Sequence, residues 1–194
     1  MRNDQYELEN GHLRIKEGVE EIETRAFKGI KLKSVEIPAT VRNIGIEAFA
    51  LTGVKEVKLN EGISAISTNA FIGSNIQELN IPDSVTFIDG GAFASCNIRK
   101  LHLGKNLRYI GTGAFIRNDI FDVTIPENVE YIGSRAFMEN PTVKVEFPES
   151  VKLEKEAFDI SKVQVALSYK DKRISKDDKE IRTYKNARQK IKNN

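Results

Sequence analysis

The sequence has few of the residues from which disulfide frameworks, metal sites and membrane spans are built. It contains one cysteine, two histidines and no tryptophan among 194 residues, and the single Cys96 excludes an internal disulfide. No segment approaches the roughly 20 apolar residues of a membrane-spanning helix, and the N-terminus lacks the apolar core of a signal peptide. We therefore expect a chain that is soluble and cytoplasmic as written. Removal of a leader would leave the same sequence on a secreted or cell-surface protein, so the compartment stays open.

The charged residues are balanced overall but unevenly distributed. The net charge of +2 favours neither nucleic acid nor an acidic partner. Residues 1–168 carry a net charge of −4, however, whereas residues 169–194 carry +6. The C-terminal segment is therefore the part of the chain whose charge could attract nucleic acid or an anionic membrane.

An Ala-Phe pair recurs along most of the chain. Five intervals of 22 residues and a last one of 21 separate its phenylalanines, which are Phe27, Phe49, Phe71, Phe93, Phe115, Phe137 and Phe158. A period of about 20 to 29 residues with a short apolar strand in each unit is typical of a leucine-rich repeat solenoid. We predict a β-rich solenoid of about seven 22-residue repeats, here called rungs, over residues 12–160.

Each rung begins with apolar residues two positions apart, as in Val35 and Ile37. Because side chains two apart share a face of a strand, these pairs predict a parallel sheet with apolar side chains inside and the intervening residues outside. The second half of each rung reads Val-x-x-Ile-Gly-x-x-Ala-Phe, whose spacing favours a turn or a short helical piece.

Two columns of side chains are expected to run through the core. The phenylalanines stack from rung to rung. A small polar residue three positions after a phenylalanine bonds the backbone at the bend, and these residues are Thr52, Ser74, Cys96, Asn118 and Asn140. We interpret Cys96 as a structural member of this column rather than a catalytic thiol, because no histidine lies within five residues of it.

The N-terminal end departs from the repeat. Alternating apolar residues over positions 5–15 surround Asn10-Gly11, a dipeptide that favours a hairpin turn with positive φ at both positions. A solenoid must cover its end, so we predict that residues 1–11 supply the strand of an N-terminal cap hairpin. A strand that recruits a partner at the sheet edge is the alternative.

The C-terminal end departs from the repeat as well. Residues 161–194 predict a capping strand, with alternating Val163, Val165, Leu167 and Tyr169, followed by a basic α-helix from Ser175 to about Lys192. A helix docked on the last rung as a cap is one interpretation. A helix that pairs with another protein, or a basic face on lipid or nucleic acid, is the other.

The consensus Val-x-Ile-Pro-x-x-Val-x-x-Ile-Gly-x-x-Ala-Phe is matched best by Val35–Phe49, Leu79–Phe93 and Val123–Phe137. It resembles the BspA-like leucine-rich repeats of bacterial surface proteins, and the resemblance covers residues 11–160. It implies secreted or cell-surface recognition of host proteins, adhesion and protein–protein binding, and it transfers no catalytic residue. The chain departs from that family in showing no export signal.

Outward residues of the predicted long strands form two ladders that a ligand would meet first. One runs through Arg14, Glu36, Lys58, Asn80, His102, Thr124 and Glu146, and the next through His12, Ser34, Glu56, Glu78, Lys100, Asp122 and Lys144. Cross-strand neighbours of opposite charge are worth about 0.2–1 kcal/mol each. A self-complementary charged face and a binding site both explain the ladders. Neither ladder carries a large aromatic anchor, which argues against a carbohydrate-binding sheet.

The sequence offers no catalytic or metal site. His12 and His102 lie four rungs apart, about 19 Å at the usual strand spacing. The exposed carboxylates of Glu56 and Glu78 have no pocket in which to act as an acid–base pair. We expect no enzyme activity, no cofactor, no metal and no small-molecule substrate. The leading hypothesis is a non-enzymatic module that binds an unknown protein through the repeat surface. The alternative is attachment to nucleic acid or an anionic membrane through residues 170–194.

Overall fold

A computed structural model describes residues 1–141, 144–148 and 150–159, together with the backbone of 164–167. After a short 3₁₀ turn at Asn3–Gln5, the chain winds through a succession of short strands. In chain order these are β1 (Tyr6–Glu9), β2 (His12–Ile15), β3 (Glu21–Ile22), β4 (Ser34–Ile37), β5 (Asn43–Ile44), β6 (Glu56–Leu59), β7 (Ala65–Ile66), β8 (Glu78–Asn80), β9 (Phe87–Ile88), β10 (Lys100–His102), β11 (Tyr109–Ile110), β12 (Asp122–Thr124), β13 (Tyr131–Ile132), β14 (Lys144–Phe147), β15 (Lys152–Leu153) and β16 (Gln164–Leu167).

The longer strands stack along one side of the solenoid, with the predicted phase. Inward Val35 and Ile37 are buried, whereas Glu36 between them is partly exposed. In the described chain the pairing forms three blocks, β1–β2–β4–β6, β8–β10 and β12–β14–β16. Pairing is parallel except in the hairpin of β1 and β2, where Asn10 and Gly11 have φ values of 51° and 85°.

The two-residue strands form a second sheet that the sequence pattern did not predict. Over the described residues β3, β5, β7, β9, β11, β13 and β15 pair in parallel, without interruption. These seven strands, one for each expected rung, are joined by six rung-to-rung steps, so the β-solenoid makes about six turns. The part of the rung expected to be a turn or a short helix is thus a strand of minimal length followed by turns, because two residues suffice to bond the rungs on either side.

The core between the sheets is a column of phenylalanine rings. Phe93, which is 0% exposed, stacks on Phe71 at a centroid distance of 5.2 Å and on Phe115 at 5.5 Å. The same parallel stacking continues from Phe27 to Phe158. At the N-terminal end the ring of Tyr6 meets Phe27 edge-on at 5.1 Å. The Ala-Phe period therefore records a continuous apolar spine.

Close approach of the rungs explains the glycine of the consensus. A β-carbon at Gly133 would lie 2.6 Å from the backbone nitrogen of Thr112, and one at Gly111 would lie 2.5 Å from the nitrogen of Gly90. Real β-carbons do not approach backbone atoms so closely. Glycine at this position therefore lets successive turns contact each other through their backbones.

A left-handed residue lies two positions before every phenylalanine of the column. The φ values are between 53° and 64°, at Arg25, Glu47, Asn69, Gly91, Gly113, Arg135 and Glu156. Two of these residues are glycines, and Asn69 is of the type that tolerates this conformation best. At the charged residues, backbone bonds to a neighbouring rung hold the turn, such as those from Arg25 to Ile46 and from Glu47 to Thr68.

At the C-terminal end the backbone of β16 pairs in parallel with β14. The predicted helix from Ser175 to about Lys192 and the basic segment 170–194 lie outside the described residues. Within the part of the chain that is described, no helix has the length and apolarity that crossing a bilayer requires.

Candidate functional site

Two surfaces of the solenoid present regular arrays of side chains to solvent. The first, here called the long-strand face, consists of the outward residues of the longer strands. The second, here called the aromatic stack, consists of Phe87, Tyr109 and Tyr131 on outward positions of β9, β11 and β13. Each arises because residues at one position of the repeat meet their equivalents on the next rung.

The predicted ladder residues occupy outward positions of the long-strand face. Within each hydrogen-bonded block they are direct cross-strand partners, namely Arg14–Glu36–Lys58, Asn80–His102 and Thr124–Glu146 in one ladder, and His12–Ser34–Glu56, Glu78–Lys100 and Asp122–Lys144 in the other. Their role in contacting a ligand stays a prediction.

The best-defined charge cluster of this face is centred on Glu36. Its carboxylate lies 2.6 Å from Nζ of Lys58 and 3.3 Å from Nε of Arg14. The hydrogen bond from Lys58, and then its charge, lower the pKa of Glu36, and Arg14 lowers that pKa further. Elsewhere the pairing is looser: Lys100 and Glu78 are 3.8 Å apart. The N-terminal block is thus internally neutralised.

The hydrogen bonding between strands along the ladders is interrupted at two places. Strand pairing lapses between β6 and β8 and again between β10 and β12, although backbone bonds between rungs occur just before each lapse, from Asn75 to Val54 and from Asp119 to Ile98. The period of the sequence sets which residues stand opposite one another. It does not set the distance between backbones, so columns of side chains persist where the hydrogen bonds do not.

A groove lies at each lapse. The first has a volume of about 780 Å³ and exposes part of Val57 between Lys58 and Glu78. The second, of about 560 Å³, runs beside half-buried Leu103 and is bordered by His102. Elsewhere the inward aliphatic residues of this sheet are buried, as Val35 and Leu79 are. The grooves are therefore where apolar surface becomes accessible between polar ladder residues.

The aromatic stack is as regular as the core column but faces solvent. The ring centroids of Phe87 and Tyr109 are 4.4 Å apart, those of Tyr109 and Tyr131 are 4.8 Å apart, and the planes are parallel within 6°. Phe87 is 37% exposed. The ammonium of Lys152 lies 5.4 Å from the centre of the Tyr131 ring, within the range of a cation–π contact.

Burial against its neighbours is the main cause that raises the pKa of Tyr109. The neighbouring Tyr131 and the carboxylates of Asp89 and Glu154 raise it further. The stack is thus a packed, partly dry array with acidic groups on its flanks.

The sequence pattern did not predict this array, because alternation marks outward positions only on the long strands. The absence of large aromatic residues holds for the two long-strand ladders and does not extend to the short-strand side. The available signal is an aromatic residue directly before the inward isoleucine, at Phe87-Ile88, Tyr109-Ile110 and Tyr131-Ile132, with the same 22-residue spacing. The segment was interpreted as a turn, for which outward positions have no defined phase.

Four residues of the buried polar column bond the backbone as predicted, namely Thr52, Cys96, Asn118 and Asn140. Oγ of Ser74 is the exception, because it has no hydrogen-bond partner among the described residues. The side-chain oxygen of Asn118 accepts the backbone N–H groups of Cys96 and Ile98, and its amide nitrogen donates to the carbonyls of Phe93 and Phe115. Sγ of Cys96 donates to the carbonyl of Phe71, and burial raises the pKa of this thiol to about 12. A thiol of that acidity is not a nucleophile at neutral pH.

No metal-binding chemistry is apparent in the described portion either. Among residues 1–141, 144–148 and 150–159, no three histidine, cysteine or acidic side chains come together as metal ligands would. What the described surfaces present to solvent is a regular array of charged groups, two grooves and stacked rings.

Known proteins share this architecture. The family model of the BspA type leucine rich repeat region matches residues 6–99 and 43–164, with six copies. A leucine rich cell surface protein from Faecalibacterium prausnitzii is 19% identical, with a TM-score of 0.54 over 82% of this chain and 60% of its own length. The leucine rich repeat protein of T. pallidum is 22% identical over 79% of this chain and 80% of its own, with a TM-score of 0.49. No curated protein matches the chain.

Proposed function

Because the chain belongs to the BspA-type leucine-rich repeat family, we propose that it is a non-enzymatic protein-interaction module that binds a protein partner through its long-strand face. The observation that carries the proposal is the alternation of buried and exposed residues along each long strand. Val35, Ile37 and Leu79 are buried in the core, whereas ladder residues such as Lys58 and Asn80 are exposed to solvent. The scaffold therefore leaves the outward residues free to differ for a ligand.

Rigidity supports this role. The phenylalanine spine and the uninterrupted short-strand sheet hold the long strands from behind. A partner that docks on a preorganised surface does not have to order it, so more of the contact energy appears as affinity.

The two grooves are the parts of the face best suited to anchor a partner. They combine partly exposed Val57 and Leu103 with hydrogen-bonding and charged residues at their rims. Protein interfaces place apolar contacts at the centre and polar contacts around them. Lys58, Asn80 and His102 border the grooves, so the proposal assigns them the largest share of specificity.

The experiment compares three forms of the full chain immobilised on a resin. The first is the wild type. The second is Lys58→Glu/Asn80→Arg/His102→Glu, which alters the groove rims. The third is the control Arg117→Glu/Ser95→Arg/Thr112→Glu, which makes the same net charge change at exposed turn residues. Proteins captured from bacterial and host lysates are identified by mass spectrometry, and the melting temperatures of the three forms are compared.

We expect that the wild type and the control capture a protein that the groove-rim variant does not capture. The three forms should have equal melting temperatures. Capture that survives the groove-rim changes would overturn the long-strand assignment. Capture that disappears between low and moderate salt and is replaced by nucleic acid would overturn the protein partner itself.

A further inference from the structure

The aromatic stack ends at Phe87, one face of which meets no further ring among the described residues. In the column that contains Phe87, the residue one rung earlier is Ala65, and the residue two rungs earlier is Asn43. Among the described residues the ring partner of Phe87 is Tyr109, on its other side. The methyl group of Ala65 covers less of the ring than a further aromatic side chain would, and Phe87 is 37% exposed. The side of the ring toward Ala65 is here called the open face of Phe87. Rungs are about 4.8 Å apart. A planar group at the level of the Ala65 rung would therefore lie at stacking distance from the ring of Phe87.

The opposite end of the stack shows which kind of group completes it. There the last ring, Tyr131, is followed on the next rung by Lys152, whose ammonium lies 5.4 Å from the ring centre. The ring face carries negative charge density, which attracts a cation. The two ends thus differ in one respect: the chain supplies a cation at the Tyr131 end and an alanine at the Phe87 end.

The carboxylate of Asp89 connects the rung of Phe87 to the rung of Ala65. Oδ2 of Asp89 accepts a hydrogen bond of 2.7 Å from Thr68, and Oδ1 accepts the backbone N–H of Gly90. Thr68 belongs to the rung of Ala65, so this bond draws the carboxylate from its own rung toward the open side of Phe87. Each carboxylate oxygen has a further lone pair for a donor.

The arginines of the neighbouring column do not supply the missing cation. Nη1 of Arg42 donates to the carbonyls of Ala39 and Gly62, and the guanidinium of Arg108 is paired with Glu130. Ser64, which flanks Ala65 on the same rung, is uncharged and donates to the carbonyl of Arg42. The open face therefore has a negative neighbour and no competing cation from these positions.

We propose that the open face of Phe87, above Ala65 and beside Asp89, binds the guanidinium of an arginine side chain from a partner protein. A guanidinium is planar, stacks on aromatic faces and pairs with carboxylates through a fork of N–H donors. A lysine ammonium has the charge but not the flat shape. A neutral aromatic ring has the shape but leaves the Asp89 carboxylate without a donor. This site lies on the short-strand side and is independent of the long-strand face.

The test is titration of the full chain with the tripeptide acetyl-Gly-Arg-Gly-amide, observed through the methyl resonance of ¹³C-labelled Ala65. We expect a concentration-dependent shift whose slope falls about five-fold when arginine is replaced by citrulline, its neutral planar counterpart. Asp89→Asn removes the charge and keeps the side-chain size, and it should weaken binding about three-fold.

Ala65→Tyr is the most selective variant. Its ring extends the stack by one member and occupies the proposed site from within, so the variant is expected to keep its melting temperature and lose arginine binding. Because this variant lacks the labelled methyl group of Ala65, its binding of the tripeptide is measured by the line width of the labelled arginine side chain. Phe121→Ser removes an exposed phenylalanine outside the stack and serves as the control that retains binding.

Equal binding of the arginine and citrulline peptides, or of a tryptophan tripeptide, would overturn the assignment to a guanidinium. Retained binding by folded Ala65→Tyr, or no shift at all with the wild type, would overturn the site. The groove-rim variant Lys58→Glu/Asn80→Arg/His102→Glu should bind the tripeptide as the wild type does, so this result and the outcome for the long-strand face are separable.

Discussion

The solenoid contains two columns of stacked aromatic rings that differ in their surroundings rather than in their geometry. In the core, Phe71, Phe93 and Phe115 stack at 5.2 and 5.5 Å with no exposure to solvent. On the surface, Phe87, Tyr109 and Tyr131 stack at 4.4 and 4.8 Å with their edges in water. Both columns follow from the 22-residue period, because any position of the repeat meets its equivalent one rung away.

The difference shows that the stacking of a ring does not by itself determine how much the ring contributes to the free energy of unfolding. A core ring is transferred completely out of water and its removal leaves a cavity, whereas a surface ring gains only part of that transfer. The surface column is free to end, to change from phenylalanine to tyrosine and to accept a cation. The core column tolerates none of these without cost.

Breaking the core column should have the largest effect. We expect Phe93→Ala to lower the free energy of unfolding by about 3–5 kcal/mol, because it removes a fully buried ring and leaves a cavity between two others. Urea denaturation followed by circular dichroism measures this loss. Phe121→Ser, at a ring that is 57% exposed, is the control with little change. A loss at Phe93 below about 1 kcal/mol would contradict the column as a spine.

The polar border of the core column comes next. Asn118→Ala should cost about 2–3 kcal/mol, because it leaves the backbone N–H groups of Cys96 and Ile98 buried without their acceptor. The same denaturation measurement applies, and hydrogen exchange should locate the effect at these two amides. Unchanged protection of both amides would show that another group can take over the bonds.

Breaking the surface column should cost much less. Tyr109→Ala removes the middle ring of the stack, and we expect a loss of about 0.5–1.5 kcal/mol from stacking in addition to its partial burial. A double-mutant cycle with Tyr131→Ala isolates the contact between the two rings. A coupling energy near zero would mean that the surface rings are neighbours without attraction.

The smallest effect is expected for the ion-pair cluster of the long-strand face. Glu36→Gln should destabilise the chain by less than about 1 kcal/mol, because the pairs are solvent-exposed and screened. Lys58 and Arg14 lower the pKa of Glu36, so its contribution is present above the unfolded pKa and is lost as the pH falls through the folded one. The difference between wild type and variant should therefore shrink from pH 7 to pH 3. A constant difference would exclude the charge as its cause.

Much of the fold could be predicted from the sequence, for physical reasons that individual residues illustrate. Phe93 and Asn118 were assigned to core columns because a solenoid brings equivalent positions into contact. Val35 and Ile37 were assigned inward because a strand alternates its faces. The confirmed family follows from the same repeat. Each of these conclusions needs only the period and the size and polarity of the side chains.

The candidate sites were less accessible. The short-strand sheet contributes two residues per rung, too few for an alternation to be recognised, so the outward position of Tyr109 and its neighbours was invisible. The left-handed turn at Arg25 and Glu47 carries no glycine to mark it. The grooves beside Val57 and Leu103 exist because strand pairing lapses, and pairing depends on backbone distances of tenths of an ångström.

The sequence by itself therefore determined a solenoid with an aromatic spine. A period of 22 residues with apolar residues at fixed positions buries all of them when equal turns stack on one another. Only the tertiary structure decided that a second aromatic column lies on the surface and ends at Ala65, and that the long-strand face is divided by two grooves. Those features depend on where each rung turns and how closely its backbone meets the next. Period and polarity leave both quantities open.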